Sequence, residues 1–271
     1  MALRDKIAHF LGVPREKLPL AEGKNLDGKT ALLINGDERL GYEISRSLAQ
    51  SGAHMIVHCN KDDSKIKQEI IDMRTGENQR IVSYIASLDS HAKVKGLIEH
   101  AKNVLTTIDI LIFNAVPKKS NSLMSITVEE LDRDIDEDLT TLFYCTKERS
   151  KIMVSQKRGK IIPVFFGVGA RGDGNMTSWS TCTGGISGFI KCLAMEFLRY
   201  GINVNGVAYG LTDGVEFPLM TRRILRQYLE TLKVPRSGRP EEIAGAVNYL
   251  ASGEADYITG QILYINGGLL I

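Results

Sequence analysis

The chain contains 271 residues, of which 43% are hydrophobic, and carries a formal net charge of +2. This length and composition predict one large α/β domain or two small ones with a sizeable core. The small net charge does not favour nucleic acid or an anionic membrane as a partner. No apolar run is long enough to predict a membrane span, and residues 1–12 lack the apolar core of a secretory signal.

The cysteine and histidine residues predict neither a disulfide framework nor a metal site. The four cysteines are far apart in segments typical of a core: Cys59, Cys145, Cys182 and Cys192. We therefore expect reduced thiols and a cytoplasmic protein. His54 and His58 lie close together, but no third ligand lies near them in the sequence, so we expect no metal ion.

Residues 1–28 precede the regular pattern of the chain and are interpreted as an N-terminal extension. The apolar residues of this segment fall on one helical face: Leu3, Ile7, Phe10 and Leu11. Gly12 and Pro14 would end such a helix. The pattern predicts a short helix that packs on its own domain, or alternatively an arm that contacts another subunit; we favour the first.

From Lys29 onward, short apolar runs alternate with amphipathic segments. The predicted strands cover 29–35, 54–59, 80–86, 109–115, 160–166, 202–208 and 261–266. The predicted helices cover about 40–50, a segment from 63, 91–104, 127–155, 179–199, 217–231 and 240–251. This alternation predicts a single doubly wound Rossmann-type α/β domain over 29–271, with about seven parallel strands and helices on both faces.

Several motifs then match one family. They are a strand–turn–helix opening at Leu33–Gly41, Asn114-Ala115, INVNGVA followed by Gly210, GRPEEIAGAVNYLAS at 238–252 and YITGQILYINGG at 257–268. From about Leu26 to its last residue, the chain resembles the short-chain dehydrogenase/reductase family. The resemblance implies a nicotinamide-dependent oxidoreductase, usually a dimer or tetramer, although a fold alone does not fix a function.

The positions that bind the cofactor in this family have changed. The family holds the cofactor pyrophosphate on a TGxxxGxG turn, which corresponds here to INGDERLG at 34–41, and only Gly41 keeps its register. Asn35 can tolerate a left-handed turn. Arg39 places a side chain where backbone should meet phosphate; its guanidinium could pair with the phosphate instead, but Asp37 and Glu38 would repel that anion.

Further cofactor positions depart from the family after the fourth and sixth strands. Asn114 remains, whereas Val116 replaces the glycine of the Asn-Asn-Ala-Gly motif, and Gly214 stands where a threonine is expected. We therefore expect no cofactor-binding residues in this chain; the degenerate positions are Asn35, Arg39, Gly41, Asn114 and Val116.

The catalytic positions of the family have changed as well. The resemblance places the catalytic Asn, Ser, Tyr and Lys at Asp138, Phe166, Trp179 and Thr183. The family's Tyr acts as general acid or base because a neighbouring ammonium lowers its pKa. Phe and Trp do not titrate near neutral pH and Thr carries no charge. We therefore expect no catalytic residues at these positions.

This pattern favours a catalytically silent subunit that supports an active relative in a hetero-oligomeric oxidoreductase. The partner would be a homologous subunit that binds NAD(P), in a heterodimer or heterotetramer, and the chain alone would form a homo-oligomer. This pattern is similar to that of the two-subunit hydroxyacyl-coenzyme A dehydrogenases of anaerobic aromatic degradation, in which one subunit lacks the cofactor and catalytic motifs. Lys118, Lys119 and the basic stretch 221–226 could attract such an anionic substrate.

Two alternatives remain open at this point. One is a divergent enzyme with a relocated acid or base, for which Asp138 and Tyr209 supply ionisable groups. The other is a regulator that binds a ligand in the old cleft.

Overall fold

The computed structural model describes residues 25–116, 122–215, 229–230 and 232–269. The predicted helices at 1–28 and 217–231 lie wholly or mostly outside these residues, as do Lys118, Lys119 and the stretch 221–226. The predicted alternation of strands and helices is confirmed elsewhere.

Eight parallel strands of the described chain form one sheet. They are β1 (Thr30–Ile34), β2 (His54–Cys59), β3 (Ile81–Ile85), β4 (Ile110–Asn114), β5 (Gly159–Phe166), β6 (Ile202–Val204), β7 (Gly206–Tyr209) and β8 (Ile262–Ile265). Their order is β3-β2-β1-β4-β5-β7-β8, and β6 pairs with β5. The chain reverses its direction of winding between β1 and β4, which makes the carboxyl ends of these strands the usual ligand crevice of such a sheet.

The predicted strand at 202–208 is interrupted at Asn205. The Asn205 side chain donates to the Ile258 carbonyl (2.7 Å) and accepts from the backbone N–H of Gln261 (3.0 Å). These two bonds hold the segment before β8 against the junction between β6 and β7. The sheet therefore has seven strand positions, as predicted, and the sixth is divided.

Within the described ranges, seven α-helices cover the sheet. They are α1 (Arg39–Gln50), α2 (Ser64–Ile71), α3 (His91–Leu105), α4 (Val128–Ile135), α5 (Thr141–Gln156), α6 (Thr177–Phe197) and α7 (Pro240–Ala251). Residues of α1 and α7, such as Ile44 and Val247, belong to one buried cluster. Residues of α3, α5 and α6, such as Leu97 and Ile190, belong to a second. The two clusters show that helices cover both faces of the sheet.

The predicted long helix over about 127–155 is confirmed as a continuous helical run over 128–156, and its middle contains one irregular turn. Thr127 starts α4 with a capping box, in which its side chain and that of Glu130 bond to each other's backbone. A π-helical turn, Asp136–Thr140, then separates α4 from α5. The Thr141 hydroxyl donates to the Asp136 carbonyl (2.8 Å), five residues earlier, which stabilises this wider turn. The wider turn shifts the direction of Asp138 from the one that a regular helix would give it.

The described residues also test the cysteine and metal predictions. Cys59, Cys145 and Cys182 are buried free thiols, and burial raises the pKa of Cys59 and Cys145 to about 12. Cys192 is exposed on α6, so the prediction that it lies in the core is wrong.

Within the described ranges, no three His, Cys, Asp or Glu side chains are grouped to hold a metal ion. Among the same residues, no helix has the length and apolar character needed to cross a membrane.

Candidate functional site

The candidate site lies at the carboxyl ends of the central strands. Asn35 follows β1, Asn114 ends β4, Phe166 ends β5 and Tyr209 ends β7. Because all strands are parallel, these residues lie along one edge of the sheet. This is the edge where open α/β sheets bind their ligands.

The turn between β1 and α1 is fixed to β4 by two reciprocal amide bonds. Asn35 Nδ2 donates to the Asn114 carbonyl (2.9 Å), and Asn114 Nδ2 donates to the Asn35 carbonyl (3.1 Å). Asn35 has φ 58°, as its left-handed tolerance predicts. A Cβ at Gly41 would collide with the Asn35 carbonyl oxygen and lie 2.8 Å from the Gly36 Cα, so the close approach of α1 to the turn requires glycine there.

The same turn is also fixed to β2. Asp37 Oδ2 accepts from the backbone N–H groups of Asn60 (2.9 Å) and Lys61 (3.2 Å), and Asn60 Nδ2 donates to Asn35 Oδ1 (2.8 Å). Asp37 therefore joins the two loops that follow β1 and β2. From the sequence alone, Asp37 is only a carboxylate that would repel the cofactor phosphate. The role of Asn60 cannot be inferred from the sequence, because Asn60 lies more than 20 residues after both Asn35 and Asp37.

His58 is a second residue of this site that the sequence does not reveal. Its Nδ1 accepts from the backbone N–H of Asn35 (3.2 Å), so the ring proton sits on Nε2 and is donated to the Ala86 carbonyl (2.9 Å). Burial lowers the pKa of His58, and only the hydrogen bond to Ala86 and the charge of Asp37 oppose this. The neutral imidazole thus supports the β1–α1 turn.

The guanidinium of Arg39, the first residue of α1, forms an ion pair within its own helix. Its Nη2 lies 3.0 Å from Glu43 Oε1, on the next turn of α1, and Glu43 also pairs with Arg46 at 2.6 Å. The aliphatic part of Arg39 packs against Gly214, where an added Cβ would lie 3.1 Å from Arg39 Cγ. The guanidinium is therefore already held by a carboxylate.

Three aromatic rings occupy the centre of the site. The ring centroids of Phe166 and Trp179 are 4.9 Å apart, and those of Phe166 and Tyr209 are 5.9 Å apart. Each of the three residues is at most 2% exposed. Rings at these separations attract one another beyond simple burial. We call Phe166, Trp179 and Tyr209 the aromatic cluster.

Thr183 lies one turn after Trp179 on α6 and is completely buried. Its hydroxyl donates to the Trp179 carbonyl (2.8 Å). The turn after β5 packs directly on this position: a Cβ at Gly169 would collide with Thr183 Oγ1 and lie 2.6 Å from the Gly184 nitrogen. Backbone therefore occupies the space into which a longer side chain at 183 would extend.

Asp138 lies in the π turn and is 1% exposed. Burial raises the pKa of Tyr209 far above its usual value, and the nearby charges of Asp138 and Glu38 raise it further. The phenol of Tyr209 therefore stays protonated at neutral pH and does not act as a base.

Ser178, at the start of α6, is bound to α4. Its hydroxyl donates to Asp134 Oδ2 (2.7 Å), and the Cys182 thiol donates to the Asp134 carbonyl (3.5 Å). Both Ser178 and Asp134 are buried. The hydroxyl and the thiol thus connect α6 to α4. Asp134 was not expected here, although its place four residues before Asp138 is a spacing that puts two side chains on one helical face.

Of the remaining expected positions, Val116 lies just after β4, where the Ala115 backbone N–H donates to the Val164 carbonyl (2.8 Å).

The positions expected from the family resemblance form two groups in the structure. Asn35, Arg39, Gly41 and Asn114 lie together at the β1–α1 turn. Phe166, Trp179, Thr183, Asp138 and Tyr209 lie together at the ends of β5 and β7.

Comparison with known proteins identifies the family. A family profile described as "Enoyl-(Acyl carrier protein) reductase" matches residues 36–270. The chain belongs to the short-chain dehydrogenase/reductase family. It is 31% identical over 245 residues to the 3-oxoacyl-[acyl-carrier-protein] reductase FabG of Escherichia coli (strain K12), covering 90% of this chain and 98% of that protein. It is also 31% identical over 244 residues to Nodulation protein G of Rhizobium sp. (strain N33), with the same coverage.

Solved structures of this family share the fold. Levodione reductase superposes with a TM-score of 0.82 at 24% identity, over 90% of this chain and 98% of that one. A short-chain dehydrogenase/reductase of Serratia marcescens, solved as a double mutant, gives the same TM-score and identity over 90% of this chain and 99% of that one. The chain is thus a member of a family of oxidoreductases.

Proposed function

We propose that this chain is a catalytically silent short-chain dehydrogenase/reductase subunit that supports an active relative in a hetero-oligomeric NAD(P)-dependent oxidoreductase. The observation that carries the proposal is the aromatic cluster, which fills the positions where the family resemblance places a Ser and a Tyr. At these two positions, Phe166 and Trp179 supply neither an acid nor a base that titrates near neutral pH.

The residues present do not fit a nicotinamide dinucleotide. Glu43 holds the Arg39 guanidinium, which would otherwise be the new cation at the phosphate turn. The position expected to carry a Lys is Thr183, and the backbone of Gly169 packs over it. Without an ammonium there, position 183 supplies no cation to hold the ribose or to lower the pKa of a neighbouring acid. We therefore derive no hydride transfer in this chain and assign the cofactor to the partner.

The relatives support a substrate class for the complex. FabG of Escherichia coli is named as a reductase of a 3-oxoacyl group on acyl carrier protein. An active partner of that kind would act on a hydroxyacyl or oxoacyl thioester, an anionic substrate carried on coenzyme A or a carrier protein. The silent subunit would contribute its fold and its assembly surfaces to that enzyme.

A relocated active site is less well supported. Asp138 and Tyr209 are both buried, and the raised pKa of Tyr209 keeps it neutral. A general base must be ionisable near the working pH and must reach its substrate. A regulator that binds a ligand in the old cleft is also less well supported, because buried rings occupy the positions expected to face such a ligand.

Two measurements test the proposal. Titration calorimetry of the isolated chain with NADH and NADPH should show no binding at micromolar concentrations, because the phosphate turn and the Lys position are both altered. Co-purification from native extract should then recover an intact relative that reduces an oxoacyl thioester. Micromolar binding of either cofactor would refute the proposal as stated, and so would turnover by the chain alone. Turnover lost in Asp138→Asn would instead identify the relocated site.

A further inference from the structure

Arg149 on α5 is a charged residue that the candidate site does not use and that is wholly buried. Its guanidinium carries five N–H donors and keeps its charge at neutral pH. One nitrogen, Nη2, donates to Gln156 Oε1 (3.1 Å), a neutral amide at the end of the same helix. Nε and Nη1 are buried and have no hydrogen-bond partner in the part of the chain that the structure describes. The interior of the domain therefore holds a cation with two unused donor groups.

Asp109, just before β4, is an acidic residue whose charge acts on this guanidinium. Burial lowers the pKa of Arg149 to about 10, and the charge of Asp109 opposes this. The oxygens of Asp109 are bound elsewhere, however. Its Oδ1 accepts from Arg158 Nε (3.2 Å), and its Oδ2 accepts from the backbone N–H (3.1 Å) and the hydroxyl (2.9 Å) of Thr30. Asp109 therefore attracts Arg149 from a distance and leaves Nε and Nη1 unbonded.

An unpaired cation of this kind is costly in a protein interior. A buried charge needs a partner that contacts it, because the interior solvates an ion far less well than water does. A buried donor without an acceptor adds a further cost. Gln156 satisfies one nitrogen but brings no charge, so the ion pair of Arg149 is incomplete among the described residues.

A strained turn at the end of α3 fixes the position of Gln156. Thr106 has φ 65° and ψ −41°, and the Thr107 backbone N–H donates to the Leu105 carbonyl (2.7 Å), as in a γ-turn. A positive φ is unfavourable for a β-branched residue, and strain of this kind collects at ligand clamps. Gln156 Nε2 donates to the Thr107 hydroxyl, which leaves Gln156 Oε1 for Arg149. The turn thus holds the guanidinium in place near the ends of α3 and α5.

We propose that Arg149 binds a small inorganic anion, a halide such as chloride, at its free Nε or Nη1. An anion completes the ion pair and accepts charge-assisted hydrogen bonds, which are stronger than neutral ones. A water molecule would accept the hydrogen bonds but bring no charge. A halide is close to a water molecule in size, which suits a site around a wholly buried side chain in a packed interior. The ends of α3 and α5 precede β4 and β5, so this site lies toward the amino edge of the sheet, away from the candidate site.

The test measures unfolding of the full-length chain in sodium chloride and in sodium gluconate, at equal ionic strength and equal protein concentration. We expect about 0.1 M chloride to raise the ratio of folded to unfolded chain about tenfold, as a Kd of about 10 mM would, which corresponds to about 1.4 kcal/mol. Arg149→Met should lose this response. The matched control, Thr146→Val, removes another buried side-chain oxygen without a partner, one turn earlier on α5, and should keep the response. No response in the unchanged chain, or an equal response in Arg149→Met, would overturn the proposal.

A crystal grown in bromide gives a second measurement that needs no variant. We expect an anomalous scattering peak for bromide within about 3.5 Å of Arg149 Nε or Nη1, slightly farther than the oxygen of an ordinary N–H···O bond because bromide is larger. A water molecule alone at these atoms would overturn the proposal. A bromide peak without any chloride response in solution would do so too, because the site would then hold an adventitious ion only.

Discussion

The sharpest test of the site is to restore the two side chains that the family resemblance expects on α6. In Thr183→Lys, the new side chain must enter space that the turn after β5 already fills, since Gly169 packs directly on this position. Overfilling a packed core costs about 1–3 kcal/mol, and burying an amine without a partner costs a similar amount or more. We expect a total loss of roughly 3–5 kcal/mol, or a fall in Tm of roughly 10 °C for a chain of this size.

The assay combines urea unfolding followed by circular dichroism with NADH and NADPH oxidation on an oxoacyl thioester. Thr183→Val is the matched control, because it keeps the volume and removes only the hydroxyl bond to the Trp179 carbonyl. It should cost about 1 kcal/mol or less. The double variant Trp179→Tyr/Thr183→Lys should show no hydride transfer, since Phe166 and the altered phosphate turn remain. A double variant with unchanged stability, or with measurable hydride transfer, would contradict this reasoning.

Further predictions concern stability and assembly. Arg149 is wholly buried and burial lowers its pKa to about 10, so Arg149→Met should leave the unfolding free energy unchanged or raise it by about 1–2 kcal/mol in urea titrations. Because burial lowers the folded pKa of His58 below its unfolded value of about 6.5, stability should fall as the pH drops below that value, and His58→Gln should flatten this dependence in melts between about pH 7 and 5. Gly41→Ala should cost about 2 kcal/mol or more because its Cβ meets the Asn35 carbonyl, whereas Gly188→Ala on α6, where nothing lies within 4 Å, should gain about 0.5–1 kcal/mol in the same unfolding assay. Light scattering of the isolated chain should give a dimer or tetramer, since Phe143 and Met195 are exposed on α5 and α6; a monomer at tens of micromolar would contradict the assembly part of the proposal.

The elements that follow from local pattern could be predicted, and those that depend on distant side chains could not. The apolar runs of β1, β4 and β5 are largely buried, and such runs identify central parallel strands. The break at Asn205 was not visible, because INVNGVA has the composition of a continuous strand and the amide of Asn205 bonds to residues 258 and 261. The π turn at Asp136–Thr140 was missed for a similar reason, since its sequence carries no glycine or proline to mark a break.

The candidate site shows the same division. Aligning the family motifs with this sequence was sufficient to assign Phe166, Trp179 and Thr183 to the catalytic positions, because the order of strands and helices fixes where those positions fall along the chain. It could not show that Phe166 contacts both Trp179 and Tyr209, because three separate elements must come together first. Nor could it show that Glu43 would hold the Arg39 guanidinium, a choice that depends on the rotamers of α1.

Under the proposed function, the aromatic cluster would make a loss of catalysis difficult to reverse one residue at a time. Phe166, Trp179 and Tyr209 belong to the same buried cluster as the residues that join α1 and α7 to the sheet. Each ring contact is worth about 0.5–1.5 kcal/mol beyond its burial, so the closed site contributes to the stability of the fold. Removing any one ring creates a cavity before any catalytic group can return, and large-to-small changes in a core cost about 3–5 kcal/mol for Phe or Trp. The silent subunit that we propose would therefore be most stable with these three rings in place, as expected where the contribution of a subunit is structural.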